Sequence, residues 1–250
     1  MKDTNNSILV GNSGVELVNN GPVIVGDISE PSTDTNNQLE ITSYFPTNIY
    51  SIKKPEFLNT VRTVSTEALT QRKKEQPKID PIYPLYQTDN LFNDPRMVEF
   101  VNYIGATGWN ILESQGHDMR TKNVVFTEMW CQEHYRHSAM DEHIHGLGSQ
   151  LVGFYFLDVP KDSQRILIHD PRSAKKQINL PELNMTDITY ASSSINFVPE
   201  PGLLMFANSW LSHSITRNAS SKAVRFIHFN ITVVDQPQQP QAANCGPVIV

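Results

Sequence analysis

Residues 141–157 read DEHIHGLGSQLVGFYFL, and the fold turns on this stretch. Its second half, Leu151 to Leu157, is an unbroken apolar run rich in aromatic residues, preceded by Gly146-Leu147-Gly148-Ser149. A short apolar run behind turn residues reads as a buried strand. Its first half carries His143 and His145, two residues apart. On a strand, positions i and i+2 share a face, so both rings can reach one metal ion. Neutral imidazole is the commonest transition-metal ligand, but two rings seldom hold a reactive metal alone. A third ligand has to come from elsewhere in the chain.

Further runs of the same texture lie on both sides of this stretch. Short β-type segments fall at 124–130, 165–169, 195–198, 203–207, 213–216 and 224–234, split by turn residues. Two helices precede them. Pro55 suits a first helical turn, with Leu58, Val61, Val64, Ala68 and Leu69 following at helical spacing. Asp94-Pro95 reads as an N-cap and first turn, with Met97, Val98, Val101 and Ile104 as the stripe behind it. Gly105 and Gly108 are expected to interrupt this second helix. Two helices followed by seven strands is α+β, mainly β, with a sandwich or small barrel whose helices cover one sheet face.

Composition narrows the function classes. The chain has 250 residues, with 20 Lys+Arg against 26 Asp+Glu and a net charge of −6. That balance argues against a nucleic-acid backbone binder, which needs clustered cations. Cys131 and Cys245 are too few for a disulfide framework or a cysteine zinc site, which points to a reducing compartment. The start, MKDTNNSILVGNSG, has no apolar signal core, and no run approaches the ~20 residues of a spanning helix. A cytoplasmic, non-membrane protein is expected. Residues 1–40 are polar, with one strand expected at 22–25, and 235–250 form a Pro/Gln-rich tail, leaving 41–234 as the folded domain. The pentapeptide GPVIV occurs near both ends; two copies make no repeat architecture, and pairing between chains leaves a homo-oligomer open.

His213 is the best third ligand. It follows a Pro-Gly turn, an apolar strand and a short break in PGLLMFANSWLSHSITRN. Twelve residues on stands Arg225, between apolar Val224 and Phe226, and so on the opposite face from them. An arginine inside a β barrel needs an anionic partner, and a dicarboxylate ligand supplies one through paired hydrogen bonds.

The ordered set of HxH, a histidine about seventy residues later and an arginine twelve further on resembles the iron(II)- and 2-oxoglutarate-dependent oxygenases. More narrowly it is similar to a family of bacterial and cyanophage type. The pieces that carry the resemblance are YFPTNIY (44–50), GWN (108–110), EMW (128–130), HIHGLGSQLVGFYFLDVP, HDPR (169–172), EPGLLMFANSWLSHSI and VRFIHFN. The resemblance implies a double-stranded β-helix, or jelly roll, with iron(II) and 2-oxoglutarate as cofactor and co-substrate, dioxygen as oxidant, and an unidentified small-molecule or peptide substrate. It implies iron on His143 and His213, Arg225 on the distal carboxylate of 2-oxoglutarate, and Tyr155 on the same carboxylate.

The usual triad has a carboxylate where this chain has His145. Three readings stay open: a three-histidine site of His143, His145 and His213; His145 outside the ligand set with water or substrate in its place; or Asp141, two before His143, as the carboxylate. Asp170 reads as a strand-ending Asp-Pro turn. His117, His134, His137, His169 and His228 lack a ligand-spaced partner and read as surface or core residues. His228, three from Arg225, faces away from it. The tryptophans read as core, with Trp210 as a second candidate for the substrate mouth. A cupin-like metal jelly roll without oxygenase activity and an inactive binding barrel are the alternatives. A serine hydrolase lacks its GxSxG elbow and a zinc peptidase its HExxH. Substrate choice falls to loops such as 76–93 and 172–194.

Overall fold

A proline lacks the N–H that a first helical turn leaves unused, so Pro55 opens a helix without penalty. In the computed structural model, which describes residues 45–236 apart from Leu147 and Asn179, Pro55–Phe57 form a 3-10 turn. It runs into α1 (Leu58–Glu75), which buries Val61, Val64 and Leu69. Asp94 caps the second helix: its side chain accepts from the Arg96 N–H at 2.9 Å, and Pro95–Met97 lead into α2 (Val98–Ser114).

Gly105 and Gly108 do not interrupt α2. A Cβ at Gly108 would meet Ile231 Cδ1 at 2.8 Å, so this glycine sets how closely the helix approaches the sheet. A Cβ at Gly105 would touch only Phe126, at 3.8 Å. Gly105→Ala is therefore expected to gain helix propensity without a clash, raising stability by about 0.5–1 kcal/mol. The urea midpoint is the check, and a fall would overturn it.

The strands form two sheets. The larger runs β1 (Ile49–Lys53), β8 (Leu203–Asn208), β5 (Ser149–Asp158), β10 (Val224–Asp235), β3 (Lys122–His134), β2 (Leu85–Gln87). The smaller runs β4 (Met140–His143), β9 (His213–Ile215), β6 (Ile166–His169), β7 (Ser194–Phe197). All pairings are antiparallel. From β3 to β10 the chain divides between the two sheets, with β3, β5, β8 and β10 in one and β4, β6, β7 and β9 in the other. That is the double-stranded β-helix, and its two sheets are stacked without closing into a barrel. The described residues from Asn48 on form one compact unit. The lead-in 1–40, the strand expected at 22–25, both GPVIV copies and nearly all of the tail lie outside the described residues.

β3 reaches His134, past the expected end at Trp130, because β10 pairs with its whole length. β1, β2 and β4 were not legible as strands. Each is a short edge strand whose order comes from its neighbour, β8 for β1, β3 for β2 and β9 for β4.

The larger sheet is buried on both faces. One face packs on the helices: Val61, Leu69, Phe100, Ile104 and Leu112 meet Leu151, Tyr155, Leu157, Ile227, Phe229 and Ile231. The other face lies against the smaller sheet: Val152, Phe154, Phe156, Met205, Val224 and Phe226 meet Ile166, Ile168 and Ile215. Each such side chain stabilises the fold by roughly 1.5–3 kcal/mol when fully buried. The alternation along β5 and β10 thus sorts residues between two cores, with no solvent side.

Candidate metal centre

β4 ends at His143 and β9 begins at His213, and the antiparallel register sets these two residues directly opposite each other. That pairing brings together two histidines seventy positions apart. His145 lies just beyond β4, tethered by its backbone N–H to Ser209 O at 2.8 Å. One ring nitrogen from each of the three rings lies within 4.8 Å of the others.

Backbone carbonyls fix two of the tautomers. His143 Nδ1 lies 2.7 Å from Asp141 O, and His213 Nδ1 lies 3.0 Å from Leu211 O. A carbonyl oxygen only accepts, so each Nδ1 carries the hydrogen and each Nε2 of the neutral ring keeps a lone pair. His145 Nε2 sits 3.3 Å from His213 Nε2. Two nitrogens at that distance need a proton or a cation between them. Burial holds the rings neutral, pulling the His213 imidazole down to about 4 and His145 to about 3. Three imidazoles with nitrogens converging suit a borderline ion such as iron(II).

The same burial predicts a pH dependence. His134 is pulled to about 3 and His228 well below the usual value, both by desolvation. Above pH 6.5 these four rings are neutral in folded and unfolded chain alike. Below it the unfolded chain binds protons that the folded chain refuses, down to about 3 at His134 and His145 and about 4 at His213. The metal-free protein is therefore expected to lose stability as pH falls from 7 to 5. Equal urea midpoints at the two values would contradict this.

Trp130, Gln132, Phe154 and His228 line the pocket beside the triad. Asp141, the alternative carboxylate ligand, is exposed; it offers His143 its backbone carbonyl, while its carboxylate accepts from Tyr83 Oη at 3.5 Å. Asp170 ends β6 in the expected turn, paired with Arg172 and Lys175. Among the remaining histidines, His117 and His137 are exposed, His169 bonds Ser214 at 2.9 Å and His134 bonds Ser138 at 2.8 Å. Trp210 is half-exposed in the turn between β8 and β9.

Arg225 and Tyr155 require a correction. Both point to the helix side of the larger sheet, away from the histidines. Arg225 Nε donates to Asp158 Oδ2 at 2.5 Å, and its Nη1 donates to Thr66 Oγ1 at 2.9 Å. Tyr155 Oη donates to Lys54 O at 2.6 Å and its ring packs on Phe100. Neither reaches the triad, so the carboxylate-binding role expected of them has no support in this geometry. The parity of β10 was right: Arg225 and His228 face opposite ways. The cavity, however, lies on the face of Val224, Phe226 and His228. Among the described residues, no Lys or Arg lines the pocket. His228 and Trp130, taken as core from the sequence, are the residues that line it; the same two-residue alternation from Phe226 would have found His228.

Three imidazoles converge where the two sheets of this jelly roll meet, an arrangement that could hold one metal ion. Residues 128–230 match the family model described as "Putative 2OG-Fe(II) oxygenase". No curated protein matches the chain in sequence. Among solved structures, the chain is similar to the non-heme alpha-ketoglutarate-dependent carbocyclase SnoK from nogalamycin biosynthesis, at TM-score 0.54 and 13% identity over 78% of this chain and 85% of that one. It is also similar to AviO1 from Streptomyces viridochromogenes Tue57, at TM-score 0.53 and 12% identity over 78% and 93%. These likenesses are of fold. Among the described residues no helix is long and apolar enough to cross a membrane.

Proposed function

We propose that this protein is a dioxygenase that hydroxylates a small-molecule or peptide substrate, with iron(II) held by His143, His145 and His213. The observation that carries the reading is the convergence of three imidazole nitrogens, two of them freed of hydrogen by carbonyls at their Nδ1 atoms. When bound, iron(II) and 2-oxoglutarate supply oxidative decarboxylation to succinate and CO2, coupled to oxygen insertion into a C–H bond. The chain's own contributions are geometric and electrostatic. Asp141 O and Leu211 O orient the rings, and the Ser209 tether holds His145 in place. Phe154 and Ile215 wall the pocket against water. Three protein ligands leave coordination positions for the 2-oxo acid and dioxygen.

One observation favours a second reading, a cupin-like metal jelly roll without oxygenase activity: the pocket lining holds no cation for a dicarboxylate. An anaerobic titration of metal-free protein with iron(II) and 2-oxoglutarate separates the two. The oxygenase reading expects a weak visible charge-transfer band, and succinate once air is admitted. Retention of zinc or manganese with no band would establish the second reading instead.

A further inference from the structure

We infer that the substrate carries a cationic nitrogen, an ammonium or guanidinium group, and that Glu128 and Asn230 receive it beside the metal pocket. Calling that ligand the substrate rests on the oxygenase reading above. Glu128 and Asn230 are register partners across β3 and β10, and the register runs unbroken from them to Trp130 and His228, which line the pocket. The pair therefore shares the inward face, one layer beyond the pocket. In the other direction along β10 the same face carries Phe226 and Val224, both in the core. The pocket is thus closed by apolar side chains at one end and bordered by a polar pair at the other. Asn230 pairs with Val152 near the start of β5, where the chain returns to the larger sheet from His143 and His145.

What this pair leaves unsatisfied is all acceptor. Asn230 is 5% exposed; its Nδ2 donates to Glu128 Oε2 at 2.5 Å, while its buried Oδ1 has no partner. Turning the amide over would set that oxygen against the carboxylate, so Oδ1 stays an acceptor without a donor. Glu128 is half-buried, and among the described residues no Lys, Arg or His pairs with its carboxylate. Buried polar groups are nearly always bonded and desolvated charges nearly always paired, so this pair marks a partner from outside. A group with several N–H donors, a positive charge and no acceptor satisfies both oxygens, which describes ammonium and guanidinium. The surroundings agree. Among the described residues no Lys or Arg lines the pocket, β4 on its other wall carries the exposed Asp141 and Glu142, and the chain has a net charge of −6. Trp130 Nε1 and both His228 nitrogens, one layer in, also lack partners, and the His228 ring lies 4.7 Å from that of His145. The unpartnered atoms thus form a strip from Asn230 to the metal ligands. One layer along a strand is about 7 Å, so carbons a few bonds from the nitrogen reach the pocket.

The test compares two probes on the full chain: n-butylammonium, and 1-butanol, which has a similar shape and no charge. The protein is loaded with manganese(II), whose unpaired electrons speed the proton relaxation of a molecule bound close by; zinc(II)-loaded protein is the diamagnetic blank. Dissociation constants are read from the relaxation, and manganese affinity is measured separately by electron paramagnetic resonance. The wild type is expected to bind n-butylammonium beside the metal roughly tenfold or more tighter than 1-butanol, the contribution of a hydrogen bond to a charged group. Glu128→Gln keeps the size of the side chain without its charge, and is expected to erase that preference with manganese affinity intact. Glu128→Asp should reduce it, and Glu99→Gln, exposed in the first turn of α2, should keep all of it. The inference is overturned if Glu128→Gln retains the preference, if Glu99→Gln loses it, or if the wild type has none. Should Glu128→Gln not fold, Glu128→Asp decides, and a preference unchanged by the shorter side chain overturns the inference. A charge-transfer band in the anaerobic titration with equal binding of the two probes would sink this inference and leave the oxygenase reading. A preference lost in Glu128→Gln without a band would uphold the cation site and sink the oxygenase reading.

Discussion

His213→Ala is expected to remove tight iron(II) binding, with a loss of at least about 100-fold. Loss of an outer hydrogen-bond partner alone costs 10–100-fold in metal affinity, and here a ligand itself goes. His213 has the best-defined donor of the three. It is 2% exposed, its Nδ1 is committed to Leu211 O, and its Nε2 faces His145 Nε2 at 3.3 Å. Without it, His143 and His145 remain, and two imidazoles do not enclose an ion. The ring also touches Phe154 edge-to-face at 5.6 Å, so some stability is lost; circular dichroism and a urea curve separate that loss from the metal effect. Iron(II) or manganese(II) titration reads the outcome, and an unchanged dissociation constant would remove His213 from the ligand set. Arg225→Gln supplies the contrast. Asp158 keeps Arg62 Nε at 3.2 Å, and the pair is partly solvated, so the expected cost is below about 1 kcal/mol, with metal binding unaltered.

Gly153→Ala is expected to be the most destabilising glycine-to-alanine change among the described residues. Gly153 sits mid-β5, between Phe229 of β10 and Phe206 of β8. A Cβ there would overlap Phe229 Cζ and Cε2 and lie 2.8 Å from Met205 O. The backbone oxygen belongs to the ladder and cannot move without breaking it. The Phe229 ring is confined by Phe206 at 5.4 Å and Phe126 at 6.2 Å. Overpacking typically costs 1–3 kcal/mol, and with backbone as one obstacle about 3 kcal/mol or more is expected. For a domain of this size that is a fall of about 6–12 °C in Tm. Metal affinity of the folded fraction should hold, because the clash is on the helix side of the sheet and the histidines are on the other. A Tm change under about 2 °C would mean that β5 shifts to admit the methyl group.

The helices and seven of the ten strands were legible because their signals are local. Proline at a first turn, aspartate at a cap and apolar runs between turn residues depend on neighbours a few positions away. β1, β2 and β4 were not legible, since each is an edge strand ordered by a partner far along the chain. Gly105 and Gly108 read as breaks because propensity is local too; packing of α2 on Ile231 and Phe126 outweighs it.

The site divides in the same way. Residue types and spacing alone determined that this chain has a mainly β fold, that His143 and His145 lie close together, that His213 is their best partner, and that Arg225 and His228 face opposite ways. Only the tertiary structure decided which of those two faces the metal. A two-residue alternation says that neighbours part company, but not which side is the cavity. When helices cover one face of a sheet and a second sheet covers the other, both rows of side chains are buried, and apolar neighbours no longer mark the inside. The smaller sheet lies over Val224, Phe226 and His228, and that long-range contact puts His228 and Trp130 in the pocket and Arg225 against α1.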